Sequence, residues 1–284
     1  MHSSRNLFQD RQLVIATKHR KEDVIASLME RELGMKCFVP ADFDTDVLGT
    51  FTGEIEREGN PVKTLRLKCL MAMEKYNCDL GIASEGSFGP HPTIFFANAD
   101  DELMILIDKK NNLEIIAREL STETNFNGSV ISSEKQLSEF AFQACFPSHA
   151  LILRNEKDSQ KQIYKGITDR KTLWEAYHSL QQTFGSTYAE TDMRANYNPT
   201  RMKVIEKATQ KLVIKINSQC PSCQTPGFDV KKITSGLPCD YCGSPTPATL
   251  RYTYVCAKCS HAMEELYPHG KKTEDPMYCP ICNP

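Results

Sequence analysis

Eight cysteines near the end of the chain have the spacing of metal ligands. They form four Cys-x-x-Cys motifs, while the other four of the twelve cysteines stand alone in the first half of the chain. Two thiolates three residues apart fit on one tight turn and fill two corners of a tetrahedron, and a second turn fills the other two. The candidate ligands are Cys220, Cys223, Cys239, Cys242, Cys256, Cys259, Cys279 and Cys282. The pattern predicts two structural Zn²⁺ ions.

The spacing between these motifs favours pairing them in chain order. Fifteen residues separate the first motif from the second, and nineteen separate the third from the fourth, as in four-cysteine zinc ribbons. We expect one ion within residues 220–242 and another within 256–282, with His261 and His269 facing solvent. The alternative pairing joins the first motif with the third. Disulfides or redox pairs are disfavoured, because four such motifs occur without a thioredoxin-like βαβ pattern.

Charge disfavours nucleic acid as a partner. The chain has 34 Lys and Arg against 36 Asp and Glu, a formal charge of −2, and residues 220–284 contain six basic and six acidic residues. Strong binding to a phosphate backbone needs an excess of positive charge. We expect a structural role for the zinc ribbons, or contact with a protein partner.

The chain has neither a membrane span nor a secretory signal that we recognise. Its longest apolar runs, such as Leu103–Ile107, are far shorter than the ~20 residues that cross a bilayer. The first six residues lack the apolar stretch of a signal peptide. We therefore expect a cytoplasmic location, where reducing conditions favour metal binding over disulfides.

A basic loop near the N-terminus is a candidate phosphate site. Leu13–Ala16 is typical of a buried strand, and a helical pattern ending at Gly34 follows soon after it. Between a strand and a helix, an α/β fold offers backbone N–H groups to phosphate. The loop residues are Thr17, Lys18, His19, Arg20 and Lys21. A solvated basic first turn is an equally weighted alternative.

A second candidate site centres on Glu85. Asp79–Ser84 reads as a strand, and Glu85–Pro92 is so rich in Gly and Pro that we expect a loop there. Glu85 would then emerge at the carboxyl end of a strand, where α/β folds bind ligands. Its proposed role is catalytic, with Ser84, Gly86, Ser87 and His91 near the substrate. The less favoured alternative is a structural turn.

Two further segments could complete a phosphate site. Asp44, Asp46 and Glu54 carry oxygen ligands of the kind that Mg²⁺ takes, although a polar surface loop is the favoured interpretation. Arg194 and Arg201 precede or begin a helix and could bind phosphate through their guanidinium groups. A capped helix entry with a surface ion pair is an equal alternative for the arginines.

Apolar periodicity predicts one α/β domain with a mixed sheet over residues 1–215, followed by two small zinc-ribbon modules over residues 216–284. Strand-like runs alternate with helical patterns in the first part, whereas Pro, Gly and Cys dominate from Cys220 onward. The predicted helices after the first are Pro61–Tyr76, Ser133–Ala144, Asp169–Phe184 and Arg201–Leu212.

The first ninety residues resemble the inosine/xanthosine triphosphate pyrophosphatase superfamily. The similarity lies in Ile15–Lys21, in Gly-Thr-Phe-Thr-Gly-Glu54, in a helix starting near Asn60, and in Asp79–Gly86. The resemblance implies that Thr17, Lys18 and Lys21 meet a triphosphate. It also implies that Glu85 binds metal or acts in catalysis, and that Arg194 or Arg201 grips the nucleotide.

The whole chain also resembles an uncharacterised bacterial family that carries Glu-Gly-Ser-Phe-Gly-Pro-His-Pro and Glu-Thr-Asp-Met-Arg segments; that resemblance brings no known activity. Together these patterns favour a Mg²⁺-dependent hydrolase of a nucleotide or other phosphorylated small molecule, with a structural zinc-ribbon tail. The alternative is a non-catalytic module that senses a nucleotide or binds a protein partner through its zinc ribbons.

Overall fold

A computed structural model describes residues 5–42 and 60–284. Asp44, Asp46 and Glu54 lie outside the described residues. The described chain divides into two compact units, Arg5–Val213 and Ile214–Pro284. The division falls within the last long helix (Pro199–Asn217).

Among the described residues, every helix of more than three residues begins in the first unit, and only the last of them continues past the end of this unit. In chain order its elements are α1 (Arg5–Phe8), β1 (Gln12–Ala16), α2 (Glu22–Leu33), β2 (Lys36–Phe38), α3 (Pro61–Lys75), β3 (Leu80–Pro90), β4 (Asn98–Asp108), β5 (Leu113–Ser121), β6 (Gly128–Ile131), α4 (Glu134–Gln143), β7 (Leu151–Arg154), β8 (Ile163–Ile167), α5 (Arg170–Phe184), β9 (Thr187–Thr191) and α6 (Pro199–Asn217). The predicted α/β class is confirmed.

Local capping explains where several helices begin and end. Asn60, Ser133 and Asp169 each accept a backbone N–H bond in the first turn of α3, α4 and α5, which satisfies a donor that the helix leaves unpaired. Gly34 ends α2 in a left-handed conformation with φ of 67°, which glycine adopts without strain. These helices lie where the sequence predicted them.

The first sheet is mixed, with strand order β2-β1-β3-β4-β5. Strand β1 runs parallel to β2 and β3, while β4 is antiparallel to β3 and β5. Helix α3 covers one face, where Leu65 and Met73 pack against Ala83 and Ile105. Helix α6 lies on the other face, where Thr209 donates a hydrogen bond to Met104.

The prediction of a loop over Glu85–Pro92 is wrong for most of that segment. Strand β3 continues to Pro90 and pairs with β4 from Leu80↔Asp108 to Pro90↔Asn98. Its pairing with β1 ends at Ala83↔Ala16, so within the described residues the second half of β3 is paired along one side. An edge of this kind tolerates glycine and proline, and Gly and Pro content was therefore a misleading signal.

The predicted mixed sheet is confirmed, and a second sheet that the sequence did not predict accompanies it. Four short strands form a separate antiparallel sheet in the order β6-β9-β7-β8. Leu137 of α4 and Leu173 and Leu180 of α5 join Leu151 and Leu153 of this sheet in their own core. All four of these strands have only four or five residues, too few to give a clear period-two pattern.

The second unit is built on three antiparallel strands. They are β10 (Asp229–Ser235), β11 (Thr249–Val255) and β12 (Ala262–Leu266), in that spatial order. Its buried apolar cluster consists of Cys220, Phe228 and Cys256, with Tyr254 packed against them. Across both units, no helix in the described part of the chain has the length and hydropathy to span a bilayer.

We predict that residues 1–217 fold without the cysteine-rich segment. Both large apolar clusters of the first unit draw all their members from residues before 213, and a chain of this length can bury its own core. The truncated protein should keep a near-UV circular dichroism spectrum and a cooperative thermal transition followed by Trp174 fluorescence. A molten spectrum, beside a structured full-length protein, would show that the second unit completes the core.

Candidate metal centres and candidate active site

The eight cysteines gather into two clusters that could each hold a Zn²⁺ ion. One cluster contains Cys220, Cys223, Cys256 and Cys259, and the other contains Cys239, Cys242, Cys279 and Cys282. Within the clusters, neighbouring sulfurs lie 3.6 to 3.9 Å apart. Four thiolates at a Zn–S distance of about 2.3 Å form a tetrahedron with edges of about 3.8 Å. The sulfurs therefore stand at the separation that zinc requires, and not at the ~2 Å of a disulfide.

The clusters pair the first motif with the third and the second with the fourth, so the sequential pairing is wrong. The reason is the direction of the strands. The first motif precedes β10 and the third lies between β11 and β12, whereas the second lies between β10 and β11 and the fourth follows β12. Antiparallel strands reverse direction at each turn, which places alternate motifs at the same end of the sheet. Spacing alone does not contain this information.

The turns that carry the cysteines repeat one backbone geometry. Gln224, Gly243 and Ser260 follow the second cysteine of their motifs and adopt left-handed φ values of 59°, 72° and 58°. Each donates its backbone N–H to the carbonyl of the first cysteine. His261 packs against the Phe228 ring and His269 bonds the Tyr252 hydroxyl, and neither belongs to a cysteine cluster.

A buried charged cluster lies beyond the carboxyl end of β1. Lys21 donates a hydrogen bond from Nζ to the Ser84 hydroxyl at 3.2 Å, and its Nζ lies 3.8 Å from the Glu102 carboxylate. Lys21 is 7 %, Ser84 2 % and Glu102 0 % exposed. Burial lowers the pKa of Lys21 to about 8, against the opposing effect of Glu102.

Arg201 reaches the same cluster from the first turn of α6. Its Nε donates to Glu102 Oε1 at 2.7 Å, and its Nη1 donates to the Met193 carbonyl. A Cβ at Gly86 would overlap both the Glu102 carboxylate and the Arg201 guanidinium. Glycine is therefore required at position 86 for these two side chains to meet against the backbone of β3.

Asp100 has the fewest hydrogen-bond partners of the charged groups in this cluster, within the described residues. It is fully buried, and neither of its carboxylate oxygens has a hydrogen-bond partner among residues 5–42 and 60–284; Glu102 Oε2 also lacks one there. Burial, and then the neighbouring Glu102, raise the pKa of Asp100 to about 8, although Arg201 and Lys21 oppose this shift. A buried carboxylate without partners is costly, so these oxygens mark a place for a ligand.

Glu85 lies on the opposite face of the sheet from Glu102. It pairs across the strands with Leu103 and accepts a hydrogen bond of 2.6 Å from Lys68 of α3. Its charge nevertheless acts on Lys21, where it opposes the lowering of the pKa by burial. The argument that Glu85 ends a strand is wrong, while its metal-binding or catalytic role stays a prediction.

Some of the other predicted site residues lie in the loop that leads to this cluster, and others lie away from it. Thr17, Lys18 and His19 form the loop that leads to Lys21. Arg20 pairs with Asp23 and lines a hollow beside the start of α6. Ser87 is exposed.

Two predicted residues have structural partners of their own. His91 accepts backbone N–H bonds from Thr93 and Ile94 through Nδ1, which orders the turn between β3 and β4. Arg194 pairs with Asp192 and lies over the Tyr197 ring. These interactions place both side chains outside the contacts that join Lys21, Glu102 and Arg201.

Sequence reasoning missed Asp100, Glu102 and Lys68. Asp100 and Glu102 alternate with Met104 and Leu106 on one face of β4, and all four are buried. Two carboxylates that continue the buried face of an apolar strand were a usable signal.

The chain was compared with known protein families and with curated proteins. A family model described as "Domain of unknown function (DUF6671)" matches residues 68–284, which includes β3 to β12, the charged residues Glu85, Asp100, Glu102 and Arg201, and all eight clustered cysteines. No curated protein matches the chain.

We predict that double substitutions of cysteines will show that the first and third motifs share one metal ion and the second and fourth share another. The purified protein should contain two zinc ions per chain by plasma mass spectrometry. Cys220→Ser combined with Cys256→Ser removes two ligands from one cluster, so one ion should remain. The matched control, Cys220→Ser with Cys239→Ser, damages both clusters and should leave none. Sequential pairing gives the reverse result for the two double variants.

We also predict that Asp100 makes the first unit less stable as pH rises. The folded state keeps a proton on Asp100 up to about pH 8, whereas the unfolded chain releases it near pH 4, so stability falls between these values. Without added divalent cations, the thermal midpoint reported by Trp174 should decline over this range, by about 2–4 °C per kcal/mol lost.

The variant Asp100→Asn should remove most of this decline and unfold at a higher temperature than the wild type at pH 8. Asp101→Asn is the control, since Asp101 pairs with Arg118 on the other face of β4, and it should keep the wild-type slope. A wild-type midpoint that rises steadily from pH 4 to pH 8 would contradict a protonated Asp100.

Proposed function

We propose that this chain, which belongs to the DUF6671 family, is a Mg²⁺-dependent hydrolase of a nucleotide or a closely related phosphorylated small molecule. The observation that carries the proposal is the buried cluster of Asp100 and Glu102 beside Lys21 and Arg201. Three carboxylate oxygens there lack hydrogen-bond partners among the described residues. Two cations lie next to them.

The donor set suits a hard divalent cation. Carboxylate oxygens are the ligands that Mg²⁺ takes, and it commonly binds through one or two carboxylates together with substrate phosphates. Burial, and then repulsion from Glu102, raise the pKa of Asp100, and a cation held by the two carboxylates would offset both effects. Bound there, Mg²⁺ would supply charge stabilisation and a water of lowered pKa.

Lys21 and Arg201 suit the phosphate groups. Lys21 follows β1 in the position where α/β folds receive phosphate, and Arg201 presents a guanidinium fork. Both are less than a tenth exposed, so their interaction with a phosphate would be weakly screened by solvent. Lys21 would hold the leaving phosphates while Glu102 keeps the ammonium and the guanidinium in place.

The resemblance of residues 15–86 to triphosphate pyrophosphatases makes the proposal more specific. It adds Thr17 and Lys18 to the phosphate contacts and predicts that a nucleoside triphosphate is cleaved to release pyrophosphate. In this proposal Asp100 and Glu102 are the principal metal ligands, and Glu85 balances Lys68 at the opposite side of β3. A reducing cytoplasm is the proposed location, since free thiolates there remain available for zinc.

A protein-contacting role for the zinc-binding unit is a second proposal. Four large apolar side chains on the turns around the second cysteine cluster are more than half exposed: Tyr241, Met277, Tyr278 and Ile281. Exposed apolar groups concentrated in this way favour contact with a protein over contact with nucleic acid. Zinc itself would be structural, since four thiolates leave no open coordination position.

The activity is tested with a panel of nucleoside triphosphates, with and without Mg²⁺. Wild-type protein should release pyrophosphate or phosphate only when Mg²⁺ is present. Asp100→Asn should lower kcat/KM by about 100-fold or more, because the metal supplies several kcal/mol of transition-state stabilisation. Asp101→Asn, on the same strand but the opposite face, should retain activity.

Two results would decide against this assignment. Nucleotide binding without turnover in the wild type would favour the sensing module instead. Full activity in a well-folded Asp100→Asn protein would remove the charged cluster from the active site. The same assay on Glu85→Gln tests the separate prediction that Glu85 binds metal or acts in catalysis.

A further inference from the structure

A cavity of about 450 Å³ opens beside Phe88 within the first unit. Its size falls in the range of small-molecule sites in proteins. The residues that matter for its chemistry are Phe88, Phe126, Arg154, Tyr188 and Glu190. None of them was a candidate from the sequence.

Phe88 connects this cavity with the charged cluster. The Phe88 and Phe126 rings lie 5.8 Å apart between centroids, tilted by 30°. The Arg201 guanidinium lies over the Phe88 ring at 4.9 Å. Phe88 is two residues beyond Gly86 on β3, a distance of about 7 Å along a strand, so cavity and cluster are close enough for one small molecule to reach both.

Arg154 lines the cavity and contains a buried hydrogen-bond donor that has no partner among the described residues. The residue is 2 % exposed; its Nη2 pairs with Glu190 and its Nη1 donates to the Ser159 carbonyl. Its Nε has no hydrogen-bond partner within the described residues. A buried guanidinium N–H without a partner is costly, which points to an acceptor supplied from outside the chain.

Glu190 also lines the cavity and places a carboxylate next to the Arg154 guanidinium. One of its oxygens pairs with Arg154, and burial raises the pKa of Glu190. A donor and an acceptor side by side match the edge of a heteroaromatic ring that carries an N–H next to a carbonyl or ring nitrogen. The charges of Arg154, Lys157, Asp158 and Glu190 cancel, so a second phosphate is disfavoured here.

We propose that this cavity binds the base of a nucleotide whose phosphates lie at Lys21 and Arg201, a proposal that rests on the proposed function. The base stacks against the Phe88 and Phe126 pair, and its polar edge meets Arg154 and Glu190. Stacking of a base on aromatic rings contributes sequence-tolerant binding, while the Arg154 and Glu190 pair gives selectivity. The natural substrate is thus a nucleotide and not an inorganic polyphosphate.

The test compares nucleoside triphosphates with inorganic tripolyphosphate, each with Mg²⁺, on zinc-loaded protein. Phe126→Leu removes the ring, and Glu190→Gln removes the charged acceptor while keeping its shape. Each variant should raise KM for the preferred nucleoside triphosphate about tenfold or more and leave tripolyphosphate hydrolysis unchanged. Phe142→Leu is the matched control, because Phe142 is 85 % exposed and lies outside the cavity.

Saturation-transfer NMR with nucleosides that lack phosphate separates this proposal from the proposed function. If wild-type protein hydrolyses neither substrate, the hydrolase assignment fails, yet nucleoside signals that vanish in Phe126→Leu still support the cavity. Equal KM values for tripolyphosphate and nucleoside triphosphates in the wild type would overturn the cavity proposal. Equal losses on both substrates in Phe126→Leu, or wild-type nucleoside signals that persist in that variant, would also overturn it.

Discussion

The burial of Glu102 between two cations from distant parts of the chain is the constraint on which the candidate site depends. A buried carboxylate is tolerated only when it is paired and hydrogen-bonded. Glu102 on β4 obtains its partners from Lys21, which follows β1, and from Arg201 in α6. The pairing fixes where α6 begins against the sheet and requires glycine at position 86. Asp100, two residues before Glu102, is equally buried, but neither of its oxygens has a hydrogen-bond partner in the part of the chain that the structure describes.

In the second unit the corresponding constraint is the geometry of thiolate clusters. Its apolar core is very small, and its four motifs stand at alternate ends of a three-stranded sheet. Metal at both ends would hold the strands in register, since folding and metal binding are coupled in modules of this size. The candidate site of the first unit is thus held together by ion pairs between buried side chains, whereas bound metal would hold the second unit together.

The sequence was most informative where a residue type acts locally. Asn60, Ser133 and Asp169 marked helix starts and Gly34 marked a helix end, because capping depends on a few neighbouring residues. The Cys-x-x-Cys spacing identified ligands for the same reason. The pairing of the clusters depended on strand direction, which is a property of the whole sheet, and so it could not be read from loop length.

The contrast between local and long-range interactions also explains where the sequence analysis and the structure differ at the candidate site. Glu85 was placed at a strand end because Gly and Pro in Glu85–Pro92 resembled a loop, but a strand that is paired along one side within the described residues accepts them. Asp100 and Glu102 were overlooked because charge at a strand start usually signals solvent. The role of these carboxylates depends on contacts with Lys21 and Arg201, which are far from them in the sequence.

Equilibrium binding of Mn²⁺ tests whether Asp100 and Glu102 form the proposed divalent-cation site. Mn²⁺ shares the oxygen-ligand preference of Mg²⁺ and can be counted by electron paramagnetic resonance on zinc-loaded protein. One bound Mn²⁺ per chain is expected, displaced by excess Mg²⁺, absent in Asp100→Asn and retained in Asp101→Asn. Failure of the wild type to bind Mn²⁺, or equal binding by Asp100→Asn, would contradict the account.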